Sequence, residues 1–213
     1  MSVETIKITP TIRARIEYDT DPMSPSDWGQ LGKIAYWSSR YTLGTEHVTK
    51  DRLGEIAKGI ENGSLIGTEV YAYVHGMSAI AAGTRLKDGT YALHNPFSCP
   101  WDSGQSGFVY CTKEQALQNS GRKIVTKKVR EQTLQILASE VAAFSQFLEG
   151  DVYGVVVEHL VDDEWERCES CWGFYGLDYA KEEALAMGNH QAGIDAREAA
   201  EAEFWSQRDV VTA

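Results

Sequence analysis

Apolar and polar positions change their period along this chain, and each change predicts an element. Thr11 to Tyr18 alternate and predict a strand. Asp19 to Asp27 holds Pro22, Pro25 and three aspartates, which is turn chemistry. Asp27 is then placed to N-cap a short helix carrying Trp28, Leu31, Ile34 and Ala35. Thr49 to Asn62 predicts a helix with Leu53, Ile56, Ala57 and Ile60 on one face and Gly63 as its stop. Glu69 to His75 alternates strongly, with Val70, Ala72 and Val74 opposed to Tyr71 and Tyr73, and Met77 to Gly83 is its expected hairpin partner. Leu93 to Gly107 is rich in Pro, Gly and aromatics and predicts a loop, followed by a short strand over Gly107 to Thr112. Thr112 is placed to N-cap a helix from Lys113 that Gly121 ends.

The clearest helical period runs from Thr126 to Leu148, through Val129, Leu134, Leu137, Val141, Phe144 and Leu148, with Gly150 behind it. Val152 to His159 reads as a buried strand. A turn at Val161, Asp162 and Asp163 returns it as Glu164 to Cys171. Gly173 and Gly176 then break the chain, and Leu177 to Arg208 is helical with a break near Gly188 and Gly193. Strands and helices mix without a regular alternation. The expectation is an α+β fold, a mixed or antiparallel sheet packed with a long central helix. Residues 1–180 are expected as one domain and residues 181–213 as an acidic helical C-terminal extension.

Composition changes this picture in one respect. Of 213 residues 43% are hydrophobic, which is ordinary for a chain with a core, but the net charge is −11. Residues 151–213 hold 15 acids against 4 bases, whereas residues 113–150 hold 4 acids and 6 bases. A pI near 4.9 argues against direct binding of nucleic acid or of an anionic membrane, both of which need Lys and Arg. No apolar run approaches the ~20 residues of a membrane span, and the first residues lack the layout of a secretion signal. The expected compartment is the cytoplasm, with Cys99, Cys111, Cys168 and Cys171 as reduced thiols.

Four constellations carry candidate chemistry. Trp101, Asp102 and Gln105, with Ser103, Ser106 and two glycines, can hold a small polar ligand by stacking and hydrogen bonds. The alternative is a tight turn bonding its own backbone. Trp172 and Tyr175, with Phe174 between two glycines, form either a stacking surface or a packed bend. If the two segments converge they line one pocket. Cys168 and Cys171 lack a second ligand pair, so no zinc or other cofactor is expected. His94, near the Trp101 segment, is the histidine to test for proton transfer. The fourth is the acidic tail. Asp195, Glu198 and Glu201 recur at i,i+3 with Glu203 and Trp205 beside them. Acidic residues at this spacing have Cβ atoms about 5–6 Å apart on a helix, close enough to imitate a phosphate track. The alternative is a solvated face that aids solubility.

Several segments, taken in order, resemble a known group. They are Asp19-Thr20-Asp21-Pro22-Met23-Ser24-Pro25-Ser26-Asp27-Trp28, then Pro100-Trp101-Asp102-Ser103-Gly104-Gln105-Ser106-Gly107-Phe108, Gly150-Asp151-Val152-Tyr153-Gly154 and Ser170-Cys171-Trp172-Gly173-Phe174-Tyr175-Gly176. The set, over roughly residues 16–180, resembles a widespread family of bacteriophage-encoded accessory proteins of unassigned function. The resemblance brings no catalytic residues. It implies a phage protein acting in an infected bacterium. Together with the acidic tail it leads to the expectation of an inhibitor of a bacterial host or anti-phage defence protein with a basic, nucleic-acid-binding surface. A nucleotide-sequestering protein or hydrolase, and a self-associating homodimer, are the other readings.

Overall fold

The computed structural model describes residues 2–83 and 95–209, with side chains to Trp205. His94 lies outside the described residues. The fold is α+β, with two sheets and four α-helices among the described residues, and the chain forms two compact units. One is continuous, from Met23 to Glu149; the other joins Met1–Pro22 to Gly150–Ala213.

The joined unit is an antiparallel sheet of β1 (Ser2–Lys7), β2 (Ile12–Tyr18), β8 (Val152–Val161) and β9 (Glu164–Tyr175), in the order β1-β2-β8-β9. Alternation on β2 sends Ile12, Ala14 and Ile16 to one face, where they meet Tyr153, Val155 and Val157 of β8. Helix α4 (Leu177–Asp209) covers that face with Ala180, Ala184 and Gly188 spaced four apart. Small residues let the helix lie close. A Cβ on Gly188 would come 2.4 Å from Ile8 Cγ1. This contact accounts for the glycine at position 188, and no break occurs there or at Gly193, contrary to expectation: α4 is one unbroken helix. Asp162 and Asp163, both at positive φ, make the two-residue β8–β9 turn as expected. The expected bend at Gly173 is instead strand. Gly173, at φ 87, lies where the β8–β9 register shifts, and β9 runs on to Tyr175.

The continuous unit holds β3 (Lys33–Tyr36), β4 (Glu46–His47), β5 (Leu65–His75), β6 (Met77–Ala82) and β7 (Ser103–Thr112), in the order β4-β3-β7-β5-β6. Among the described residues only the short β3–β4 pair is parallel. Helix α1 (Lys50–Glu61) covers one face through Ile56 against Ala35 and Tyr110. Helix α3 (Lys127–Glu149) covers the other through Leu137, Val141 and Phe144 against Ile34, Ile66, Val70 and Val109. Helix α2 (Lys113–Ser120) starts in a capping box. Gln115 N donates to the Thr112 hydroxyl, and Thr112 N donates to Gln115 Oε1 at 2.8 Å.

Two expectations fail in this unit. The helix expected after Asp27 is a single 3-10 turn, Pro25–Trp28, capped by Ser24. Gly29 takes a left-handed conformation behind it, and Ile34 and Ala35 pair with Val109 and Phe108 instead. The loop expected up to Gly107 becomes strand from Ser103, because β5 supplies a ladder as far as Tyr73 opposite Ser103. Glu140 of α3 holds the connection in place by accepting hydrogen bonds from Leu31 N (2.6 Å) and Gly32 N (3.0 Å). Burial nonetheless raises its pKa above the ordinary carboxylate value.

Candidate functional site

The four constellations now have places, each within its own unit. Asp195 ends the docked part of α4. Gln191 Nε2 donates to its Oδ1 at 2.8 Å, and His159 Nε2 on β8 stands 3.4 Å from its Oδ2. Beyond it, every residue from Ala196 to Trp205 is exposed, Glu198, Glu201 and Glu203 included. Phe204 and Trp205 are 54% and 53% exposed and meet edge to face at 5.4 Å. From Ala196 to Trp205, α4 is thus a helix whose alanines, acids and aromatics all face solvent.

The opposite face of the same sheet is different in kind. Glu158, 6% exposed, accepts from Arg13 Nε at 2.6 Å, and Arg15 Nε lies 3.1 Å from its other oxygen without the angle of a hydrogen bond. The Arg13 guanidinium stacks 4.2 Å over Trp165. Trp172 is on this face, half exposed and flat over Gly154. A Cβ there would come 2.0 Å from its Cε3. Gly154 and Trp172, from two of the quoted motifs, are therefore one device: the glycine is absent of side chain because the indole fills the space. Tyr175 is half-buried on β9 opposite Val152.

Trp101 belongs to the continuous unit. It is 93% exposed in the turn that leads into β7. Val74 N donates to Asp102 O at 2.9 Å, which ties the turn to β5. Asp102 Oδ2 stands 3.2 Å from His75 Nδ1 and accepts from Cys99 Sγ at 3.5 Å. Ser103 Oγ donates to the Cys99 carbonyl and lies 2.7 Å from its donor Asn95 Nδ2. Beside them is a hollow of about 200 Å³ lined by Tyr73, Phe97, Ser98 and Cys99, in which the Tyr73 and Phe97 rings stand 5.8 Å apart. Gln105 is exposed on β7, opposite Tyr71. The carboxylate lies between thiol and imidazole, so this is not the nucleophile–histidine–carboxylate order of a triad. His75 is the residue that sequence reading missed. It meets Asp102 only through the β5–β7 register, which no local pattern announces.

Among the described residues no group of three or more His, Cys, Asp or Glu is placed to hold a metal ion, and all four cysteines are free. Burial, reinforced by Glu140, pushes the Cys111 thiol up to about 11. Cys168 and Cys171 are exposed on β9. With iodoacetamide at neutral pH, mass spectrometry should find Cys171 carboxamidomethylated while Cys111 stays unmodified until denaturant is added. Equal rates at the two positions in the native protein would contradict the buried placement of Cys111.

No family model, curated protein or solved structure matches the chain. Among the described residues no helix is long and apolar enough to cross a membrane.

Proposed function

We propose that this chain is a binding protein: a phage accessory factor, acting in the cytoplasm of the infected bacterium, that binds and inhibits a host or anti-phage defence protein. The observation that carries this reading is the unbroken exposure of α4 from Ala196 to Trp205 beyond its anchor at Asp195. Glu198 and Glu201 stand one turn apart, with Glu203, Phe204 and Trp205 next along the helix. An acidic row beside aromatics suits a basic, nucleic-acid-binding surface: the charges steer the encounter, and the rings supply buried area. Solubility alone would not call for two large aromatics on the same exposed stretch.

The test is capture from bacterial lysate at low and high salt. Wild type should retain a partner at low salt and lose it progressively as salt rises. Glu198→Lys with Glu201→Lys should weaken retention at least tenfold, as charge reversal at a contact does. Retention that ignores both substitutions would remove the tail from the interface.

A second reading is a nucleotide-binding or hydrolysing site at the Trp101 turn, favoured by the His75–Asp102 contact beside the Tyr73–Phe97 hollow. A thermal shift with a nucleotide panel that Trp101→Ala and Asp102→Asn abolish would support it. Recovery of the ligand intact or cleaved separates sequestration from hydrolysis.

A further inference from the structure

The basic stretch of this acidic chain lies outside both surfaces described above. Residues 113–130 carry six bases (Lys113, Arg122, Lys123, Lys127, Lys128, Arg130) against Glu114 alone, in a chain of net −11. They span α2, its connection and the first turn of α3, which holds no acidic residue. Cations at a helix N-terminus oppose its dipole, so this placement is unfavourable for the helix by itself. Arg122, Lys123 and Lys128 are exposed, and among the described residues no carboxylate pairs with them. Lys127 reaches only Glu131, at 3.9 Å.

These cations border a concavity. A hollow of about 510 Å³ is lined by Ser120, Arg122, Lys123, Thr126, Lys128 and Gln132, with Ile124 and Val129 as its apolar wall. It shares Ser120, Val129 and Gln132 with a second hollow of about 410 Å³, lined further along α3 by Asn119, Thr133, Gln135, Ile136 and Ser139. The groove is therefore graded. Guanidinium and ammonium groups stand at one end, amides and hydroxyls at the other, and valine between. Its size falls in the range of small-molecule sites.

We propose that the α2–α3 groove binds a nucleoside phosphate. Arg122, Lys123 and Lys128 take the phosphates, the Arg fork matching phosphate oxygens and the lysines acting as point charges. The base lies against Val129 and Ile136, where Asn119 and Gln132 offer both donors and acceptors to its edge. A polymeric nucleic acid is a poorer occupant, because the basic stretch is short and the rest of the chain is more acidic still. The groove shares no residue with the α4 tail or the Trp101 turn, so it stands apart from the function proposed above.

Isothermal titration of the full chain at physiological salt tests this, with nucleoside mono-, di- and triphosphates, the matching nucleosides, inorganic pyrophosphate and single-stranded DNA. Saturable binding of a nucleoside phosphate at one site per chain, with none of the bare nucleoside, is the expected result. Arg122→Ala, Lys123→Ala and Lys128→Ala should each weaken it roughly tenfold. Gln132→Ala and Asn119→Ala should alter the preference among bases while pyrophosphate binding stays as it was. Lys58→Ala, an exposed cation on α1, should change nothing, and melting curves should show all variants folded. The proposal is overturned by no saturable binding across the panel, or by pyrophosphate binding as tightly as every nucleotide. Preferential binding of single-stranded DNA, or equal weakening by Lys58→Ala, overturns it too.

Discussion

Gly107→Ala is expected to disrupt the central sheet of the continuous unit. A Cβ at this position would come 1.9 Å from the Ala35 carbonyl oxygen and 3.0 Å from Tyr36 Cα, both backbone atoms of β3. No rotamer relieves such a contact. Either β3 withdraws from β7, losing the ladder from Lys33–Tyr110 to Tyr36–Gly107, or the β5–β7 pairing shifts. Ile34 and Tyr36 leave the α3-side core with β3. A cost of about 4–5 kcal/mol is in line with overpacking against fixed backbone, a large part of a typical total stability. Thermal unfolding followed by circular dichroism should show a fall of roughly 10–20 °C, or no cooperative transition. Gly104→Ala, three residues earlier on β7 and with nothing near its Cβ, should melt within about a degree or two of wild type. Equal melting temperatures for the two variants would mean that β3 is not pressed on Gly107.

Glu158→Ala should destabilise the joined unit by about 2–3 kcal/mol, less than a fully buried triad would lose, because both arginines keep partial access to water. The carboxylate is the acid that Arg13 and Arg15 share on that face, and Arg15 also reaches Glu17 Oε1 at 3.1 Å. Without it Arg13 loses its carboxylate while Arg15 keeps Glu17, both beside Val156, which is itself buried. Glu158→Gln keeps the shape and one acceptor and should lose about half as much. Each arginine keeps one other contact, Arg13 its stack on Trp165 and Arg15 its bridge to Glu17, which limits the loss. Denaturation in urea reads the difference, and added salt should change it little because the pair is shielded. A Glu158→Ala protein as stable as wild type would show the cluster to be neutral to folding.

What could be read from sequence was what neighbours in sequence decide. Thr112 as the cap of α2, Thr126 before α3, Gly121 and Gly150 behind their helices, and the aspartate turn after Val161 are local signals. All stand where the pattern put them. The misses are tertiary. Leu31, Ile34 and Ala35 have helical spacing, but Ile34 and Ala35 serve the two faces of a strand once β7 lies beside them. Gly188 looks like a helix break until Ile8, on the chain's first loop, fills its missing side chain. The strand Ser2–Lys7 escaped notice because its pattern is weak without β2 next to it. At the candidate sites, the exposure of Glu198 and Glu201 follows from where α4 runs past its sheet. The meeting of His75 with Asp102 needs a strand register, and the α2–α3 groove needs two helices to be placed first.

The joined unit has a consequence for synthesis. β2 ends at Tyr18, paired with Tyr153 at the head of β8, and Asp19 N donates to Val152 O at 2.9 Å. Everything from Met23 to Glu149 departs from and returns to adjacent points of one ladder, as a guest set into a host hairpin. On the ribosome the guest can close while the host owns just β1 and β2, a two-stranded ribbon too small to stand alone. The host hairpin is completed only when β8 emerges, and α4, with its acids, is made after that. A nascent chain therefore carries a finished guest before it carries the charge that dominates the mature molecule.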